Sequence, residues 1–159
     1  MEYKIGGKLR TEPVFPQARV ARTDCADEDC AENQPLPSAM TKVAPEQKSP
    51  ARWAYERLIL YVQNFEKQLD GDHEVAMGFA GSEAGSIHIM GMGYFDPDLI
   101  TFYGADPSGS KTQLIQHVSE LNVMLRAAPK QHKEARRIGF EMSRKLEEDD
   151  AAEETTETG

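Results

Sequence analysis

Five side chains in the middle of the sequence carry groups that bind metals or transfer protons: His88, Asp96, Asp98, Asp106 and His117. A neutral imidazole is both a ligand for Zn²⁺ and a base near pH 7, and a carboxylate beside it acts as its acid–base partner. If these groups converge, they form a site for a small molecule or for metal-assisted hydrolysis.

The pattern around these residues does not favour such convergence. In a simple antiparallel meander the two histidines fall on the second and fourth strands, and the aspartates lie in turns, where local hydrogen bonds explain them. The sequence contains no H-E-x-x-H motif, no paired C-x-x-C motif and no phosphate-binding loop. We therefore predict no catalytic residue, cofactor or metal ion, and keep His88, Asp96, Asp98 and His117 as an alternative polar site.

Alternating apolar residues predict the strands that position these side chains. The predicted strands cover residues 75–79, 99–105 and 112–118, and a further strand begins at residue 86. Turn signals separate them at 82–85, 95–98 and 106–109, and Asp106-Pro107-Ser108-Gly109 fits a type I turn. The methionines Met90, Met92, Met124 and Met142 are predicted to fill the core, the alternative being an adaptable binding surface.

Helical spacing predicts the remaining elements. A helix begins at Ser49-Pro50, with Ser as its N-cap, and ends at residues 70–72, where Gly71 would adopt the left-handed conformation. A second helix is predicted from Ser119 to Pro129. Residues 137–142 fit both a strand and a helix, and we favour an extended segment that becomes helical near Met142. The fold class is α+β: an N-terminal helix packed on a four- or five-stranded antiparallel meander, with one or two C-terminal helices.

Composition predicts that both ends of the chain are disordered. Residues 1–48 hold five of the nine prolines and no sustained periodicity, so they are predicted to be a disordered arm. Residues 147–159 contain seven acids and no cation, which predicts an acidic disordered tail. A single α+β domain is expected at residues 49–146.

Charge and hydropathy argue against several classes of function. The net charge of −9 and the isoelectric point near 4.9 make nucleic acid an unlikely partner, because phosphate binding needs clustered cations. No apolar run is long enough to span a membrane and no signal peptide is recognised, so a cytoplasmic protein is expected. Cys25 and Cys30 lie among carboxylates, which disfavour the thiolate, and are predicted to be unreactive.

Protein binding is the leading functional prediction. Trp53 and Tyr55 on the first helix are candidate contacts for an apolar partner, since aromatic residues often anchor interfaces. Residues 126–145 carry seven cations against two acids, and Arg136, Arg137 and Arg144 are candidate contacts for an acidic partner. We therefore expect a binding or scaffold module that contacts another protein or forms a homo-oligomer.

Three segments resemble an uncharacterised bacterial family of domains of unknown function. They are D-L-I-T-F-Y-G at residues 98–104, Q-L-I-Q-H-V-S at 113–119 and R-R-I-G-F at 136–140. The resemblance covers residues 51–142, approximately. It implies no activity, substrate, cofactor or catalytic residue, because none is assigned to the family.

Overall fold

The computed structural model describes residues 2–5, 8–11, 15–79 and 85–157. The chain divides into two compact units, Met1–Lys48 and Ser49–Gly159.

The N-terminal unit contains short elements where composition predicts a disordered arm. Strand β1 (Glu2–Ile5) pairs antiparallel with β2 (Lys8–Thr11). Two 3₁₀ turns follow at Asp27–Asp29 and Ala31–Asn33, then the four-residue helix α1 (Ser38–Thr41) and a 3₁₀ turn at Pro45–Gln47. Cys25 precedes the first of the two turns at residues 27–33, and Cys30 lies between them.

Helix α2 (Pro50–Glu66) opens the second unit and starts where the sequence predicts. The Ser49 hydroxyl accepts a hydrogen bond from the Arg52 backbone N–H at 3.0 Å, which is the predicted N-cap. The helix ends at Glu66, earlier than predicted. Gly71 is not left-handed, because in the described residues only Gly85 and Gly109 have positive φ angles.

Five strands form one antiparallel sheet in the order β6-β5-β4-β3-β7. Their bounds are β3 His73–Phe79, β4 Ser86–Phe95, β5 Leu99–Ala105, β6 Lys111–His117 and β7 Val123–Pro129. The predicted α+β fold and four-stranded meander are confirmed. At the turn of residues 106–109 the Gly109 N–H donates to the Asp106 carbonyl at 2.9 Å, as predicted. Of the turn predicted at 82–85, residues 82–84 lie outside the described part of the chain.

Strand β7 corrects the prediction of a second helix between Ser119 and Pro129. Ser119 lies in a 3₁₀ turn, Val118–Glu120, and the following residues pair with the whole of β3, from Val123 opposite Phe79 to Pro129 opposite His73. The spacing of Leu121, Met124, Leu125 and Ala128 is helical, but pairing with β3 determines the structure here. Pro129 ends an edge strand, where a missing N–H is tolerated.

Helix α3 (Ile138–Glu157) corrects the prediction for residues 137–142, which are helical from Ile138 instead of extended. Ile138 and Met142 are one helical turn apart and both are buried in the core. The Glu66 carboxylate accepts hydrogen bonds from the backbone N–H groups of Gly139 and Phe140, which satisfies donors at the start of the helix. The helix continues through residues 147–157, where the sequence predicts a disordered tail.

Helices α2 and α3 share a hydrophobic core with one face of the sheet. Alternate strand residues, among them Val75, Met77, Ile100 and Phe102, are buried there. The rings of Phe79 and Phe102 meet edge to face with centroids 4.9 Å apart. The strand side chains that alternate with this set point to the opposite side, which we term the outer face.

Candidate functional site

The structure does not bring His88 and His117 together. His88 in β4 lies opposite Ala105 of β5, whereas His117 in β6 lies opposite Leu99 of β5. Six residues of one strand separate these positions, which corresponds to about 20 Å at the usual rise of a strand. One zinc ion needs its imidazole nitrogens at about 2 Å, so these two histidines cannot ligate the same ion.

His117 belongs to a local hydrogen-bonded turn. Its Nε2 lies 3.0 Å from Oδ2 of Asp98, and its Nδ1 lies 2.7 Å from Oγ of Ser119 and accepts from the Ser119 backbone N–H at 3.1 Å. The backbone N–H of Val118 also donates to the Asp98 carbonyl at 2.7 Å. The contacts join the end of β6 to the β4–β5 turn, and about half of each ionisable side chain is exposed.

The other two aspartates, Asp96 and Asp106, accept hydrogen bonds from serine residues close to them in space. Asp96 Oδ1 accepts from the Ser49 hydroxyl at 2.5 Å and so connects the β4–β5 turn to the start of α2. Asp106 Oδ1 accepts from the Ser108 hydroxyl at 2.6 Å and from the Ser110 backbone N–H at 2.9 Å. These bonds hold the pKa of Asp106 below its ordinary value. Both carboxylates therefore stabilise turns.

A cavity of about 260 Å³ lies beside His88, and Glu74, Met90, Gln131, His132 and Arg136 are among the residues that line it. Strands β3 and β4 pair at only two positions, Met77 with Ile87 and Gly78 with Ser86. Glu74 and His88 lie just beyond those pairs, so the cavity is found where the two strands separate.

Glu74 is the buried ionisable group of this cavity, and only 6% of its surface is exposed. Its Oε1 accepts from the Gln131 backbone N–H at 3.3 Å, and its Oε2 accepts from the Arg136 backbone N–H at 3.0 Å. Oε1 also lies 3.5 Å from Nδ1 of His88, a buried nitrogen with no hydrogen-bond partner among the described residues. The site thus contains a carboxylate–imidazole pair, which has the composition of an acid–base dyad.

The two predicted aromatic contacts have different environments. Tyr55 packs its ring 4.9 Å from that of Tyr94, and burial raises the pKa of its hydroxyl. Trp53 lies 5.2 Å below the guanidinium of Arg57, which is a cation–π contact. Both side chains are half-buried, and Tyr55 is the one that packs against the hydrophobic core.

The predicted basic contacts are largely occupied by groups of the same unit. Arg137 donates to the carbonyl oxygens of His73 at 2.7 Å and Asp70 at 2.8 Å, so its guanidinium fastens the chain before α3 to the chain after α2. Arg136 lies 3.5 Å from a carboxylate oxygen of Glu141, and Arg144 lies 3.7 Å from one of Glu148. The last two pairs are exposed and contribute little to stability.

Large apolar side chains are exposed along the strands of the sheet. The exposed fractions are 72% for Phe95, 60% for Ile115, 54% for Met124, 47% for Met90 and 43% for Tyr103. Strand register places four of them on the outer face, and Met90 lies in the bulge between Ile89 and Gly91. The prediction that Met90 and Met124 fill the core is therefore wrong, whereas Met142 is buried.

The middle of the outer face carries little side-chain bulk. Gly78, Gly91 and Gly93 lie there on β3 and β4, and a Cβ atom built at Gly91 would meet nothing within 4 Å. Lys111 and Arg126 are the lysine and arginine that strand register places on this face. Among the described strand residues on this face the one carboxylate is Glu74, which is buried. The outer face thus carries exposed apolar side chains among small and polar residues, with Lys111 and Arg126 at its margin.

Sequence reasoning missed Glu74 because its hydrogen-bond donors, the backbone N–H groups of Gln131 and Arg136, are more than fifty residues away along the chain. Alternation did contain the signal for the outer face, since it assigns Gln113, Ile115 and His117 to the side of β6 opposite Leu114. The exposure of Ile115 at 60% agrees with that assignment. The positions of the other exposed apolar side chains on this face could be predicted only with knowledge of the order of the strands.

None of the helices in the described residues is both long enough and apolar enough to cross a membrane. No group of three or more His, Cys, Asp or Glu side chains in that part of the chain is arranged to hold a metal ion.

Comparison with known proteins identifies a family without a known activity. No curated protein matches the chain, and no solved structure does. Residues 47–141, more than half of the sequence, match a protein family described as being of unknown function. The chain therefore belongs to that family, DUF6173.

Proposed function

We propose that the protein is a cytoplasmic protein-binding module that receives an extended, apolar and acidic segment of a partner protein at its outer face. The exposure of large apolar side chains along the strands, with Ile115 and Tyr103 near the β6 edge, supports this proposal. Exposed apolar patches of monomeric proteins commonly mark interaction sites, since leaving them in water forgoes the free energy of burial.

Strand β6 offers the partner a backbone template. It pairs with β5 on one side and has no strand on its other side in the described part of the chain. A strand added along that edge would place alternate side chains beside Ile115 on the outer face. Tyr103 is on the neighbouring strand opposite Gln113, about 10 Å from the added strand at the usual strand spacing, so its ring continues the exposed apolar surface inward from the edge.

Charge favours a different protein over a second copy of this chain. Lys111 and Arg126 lie on the outer face, and its one strand carboxylate is the buried Glu74. Two such faces brought together would place like charges opposite each other, which costs free energy. An acidic partner segment on the β6 edge instead complements Lys111, which lies on β6 itself, whereas Arg126 lies on β7 at the opposite edge of the sheet. We therefore favour a hetero-complex over the homo-oligomer.

Site-specific photo-crosslinking in cells tests the proposal. A photoreactive amino acid replaces Ile115 in one full-length protein and Phe140 in another, because Phe140 is equally exposed, at 58%, but lies on α3. We expect a discrete adduct with an acidic protein from position 115 and not from position 140. Equal adducts from both positions, or none from position 115, would contradict the proposal. Light scattering of the purified protein is expected to give the mass of a monomer, and a dimer would favour self-association.

A second candidate function is small-molecule binding at the Glu74–His88 cavity. The unpartnered Nδ1 of His88 favours it, because a ligand could bond there beside the buried carboxylate. Acetate and inorganic phosphate are simple probes for NMR titration of the histidine side chains. The His88 resonances should shift on saturation while those of His117, bonded in its turn, stay unchanged. Parallel shifts of both histidines, or none, would count against this site.

A further inference from the structure

Two cysteine thiols lie next to each other in the N-terminal unit. Sγ of Cys25 is 3.4 Å from Sγ of Cys30, and both are free thiols. A disulfide bond joins sulfurs at about 2.05 Å, so a small side-chain movement would bring these two into bonding distance. The spacing of five residues along the chain gave no indication of this proximity.

The backbone around Cys30 fixes the pair. Cys30 separates the two 3₁₀ turns: its N–H donates to the Asp27 carbonyl at 3.2 Å, and its carbonyl accepts from the Asn33 N–H at 3.0 Å. Its thiol also donates to the Ala26 carbonyl at 3.5 Å. Because the backbone on both sides of Cys30 is bonded in turns, Cys25 is the residue better able to adjust its position.

The two thiols differ in accessibility. Cys30 is fully buried, whereas Cys25 is partly exposed. Burial, followed by the hydrogen bond with Cys25, raises the pKa of the Cys30 thiol. A reagent in solution therefore reaches Cys25 first, and the Cys30 thiol becomes a nucleophile only toward a sulfur already beside it.

The electrostatic environment is less acidic than the sequence suggests. The guanidinium of Arg22, which binds Asp24 at 2.6 Å and 2.8 Å, favours the ionised form of the Cys30 thiol and opposes the effect of burial on its pKa. Asp27 acts on Cys30 in the opposite direction. The prediction of an unreactive pair considered the carboxylates alone, and the structure adds this cation.

We propose that Cys25 and Cys30 form a redox-active dithiol that low-molecular-weight disulfides convert to an intramolecular disulfide. In the first step the Cys25 thiolate attacks one sulfur of the reagent, forms a mixed disulfide and releases one thiolate. In the second step Cys30 loses its proton to solvent and attacks Sγ of Cys25, which releases the second thiolate. The protein loses two electrons and two protons, and the reagent disulfide is reduced to two thiols.

A metal site explains the pair less well. The dithiol supplies two ligands, whereas structural zinc sites use four. The described residues hold no group of three or more potential ligands, so the set around Cys25 and Cys30 is incomplete. Disulfide formation needs only the two sulfurs already in contact.

Intact-protein mass spectrometry with oxidised glutathione tests the proposal on the full-length chain. The reduced wild type should lose the mass of two hydrogen atoms and retain no glutathione. The variant Cys30→Ser should stop at one bound glutathione, and Cys25→Ser should stay unmodified over the same time. These outcomes assign Cys25 as the attacking thiol and Cys30 as the resolving thiol.

Three results would overturn the assignment. The first is a wild type that remains reduced, the second is one that accumulates the mixed disulfide without closing, and the third is a Cys25→Ser variant modified as fast as Cys30→Ser. Far-ultraviolet circular dichroism of both variants checks their folding. The wild-type result does not depend on either variant, so the proposal stays testable if a serine perturbs the unit.

Discussion

Replacing Gly139 with alanine is expected to destabilise the second unit strongly. Gly139 lies at the start of α3, where the helix crosses α2 at close range. A Cβ atom at this position would lie 2.6 Å from the backbone nitrogen of Gln63, 2.7 Å from its Cα and 2.9 Å from Oε2 of Glu66. Two of these atoms belong to the backbone of α2, so they cannot rotate away as a side chain would.

The size of the effect follows from the contacts that must change. Ordinary Cβ contacts lie at 3.4 Å or more, so the helices must separate by about 0.8 Å, and overpacking of this kind costs about 1–3 kcal/mol. Separation also lengthens the hydrogen bonds from Gly139 and Phe140 to the Glu66 carboxylate, which contribute about 1.5–3 kcal/mol when fully made. Alanine gains about 1 kcal/mol of helix propensity. We expect a net loss of about 3 kcal/mol in the free energy of unfolding.

Equilibrium urea denaturation of the full-length protein measures this loss. Trp53, the single tryptophan, lies on α2 and provides the fluorescence signal, and far-ultraviolet circular dichroism provides a second probe. Gly71→Ala is the matched control, because a Cβ there meets nothing within 4 Å and its φ angle is not positive. The control should change stability by less than about 0.5 kcal/mol. A Gly139→Ala protein as stable as the control would refute the close helix contact.

Three further substitutions test other contacts. Burial, opposed by backbone hydrogen bonds, raises the pKa of Glu66 above 4.5, so the stability of the wild type should fall as the pH rises from 4.5 through the folded pKa. The Glu66→Gln variant should not show this loss of stability with rising pH. If urea denaturation gave the two proteins parallel profiles of stability against pH, the assignment to Glu66 would be contradicted. Arg137→Ala should lower the free energy of unfolding by about 1.5–3 kcal/mol, because the guanidinium contacts with two carbonyl oxygens are lost. The exposed Arg144→Ala should lower it by less than about 0.5 kcal/mol. Equal losses in the same assay would contradict this expectation. The Ser108 hydroxyl and the Ser110 N–H lower the pKa of Asp106, so its contribution is present above its ordinary value of 3.8 and is lost as the pH falls. Melting temperatures of Asp106→Ala and the wild type should therefore converge in acid, and a constant difference would argue against this role.

Local signals predict the parts of the fold that depend on neighbouring residues. The Ser49 cap and Pro50 fix the start of α2, and alternation with short turns fixes the order of β3 to β6. Each of these features arises from residues a few positions apart, which a single sequence displays directly.

Distant partners determine the features that local signals miss. The residues of β7 have helical spacing, but all seven of them pair with β3, about fifty residues earlier. Glu66 determines where α3 begins through hydrogen bonds to Gly139 and Phe140, more than seventy residues later. Glu74 likewise reaches the backbone before α3 and closes the cavity beside His88. No local periodicity encodes such contacts, so the sequence alone assigned these segments wrongly or left the residues unnoticed.

The segments that resemble the family contain residues of two kinds: some make structural contacts, and others are exposed and available for binding. In R-R-I-G-F, Arg137 bonds two carbonyls, Ile138 is buried and Gly139 permits the helix contact. In the strands of the other two segments, alternate residues pack into the core, but Tyr103 and Ile115 are large, apolar and exposed. An exposed strand position accepts polar residues at little cost, so the stability of the sheet does not require apolar side chains at these two positions. The proposed binding role accounts for the apolar character of both residues, and for this reason the first functional experiments belong on the outer face and not on the histidines.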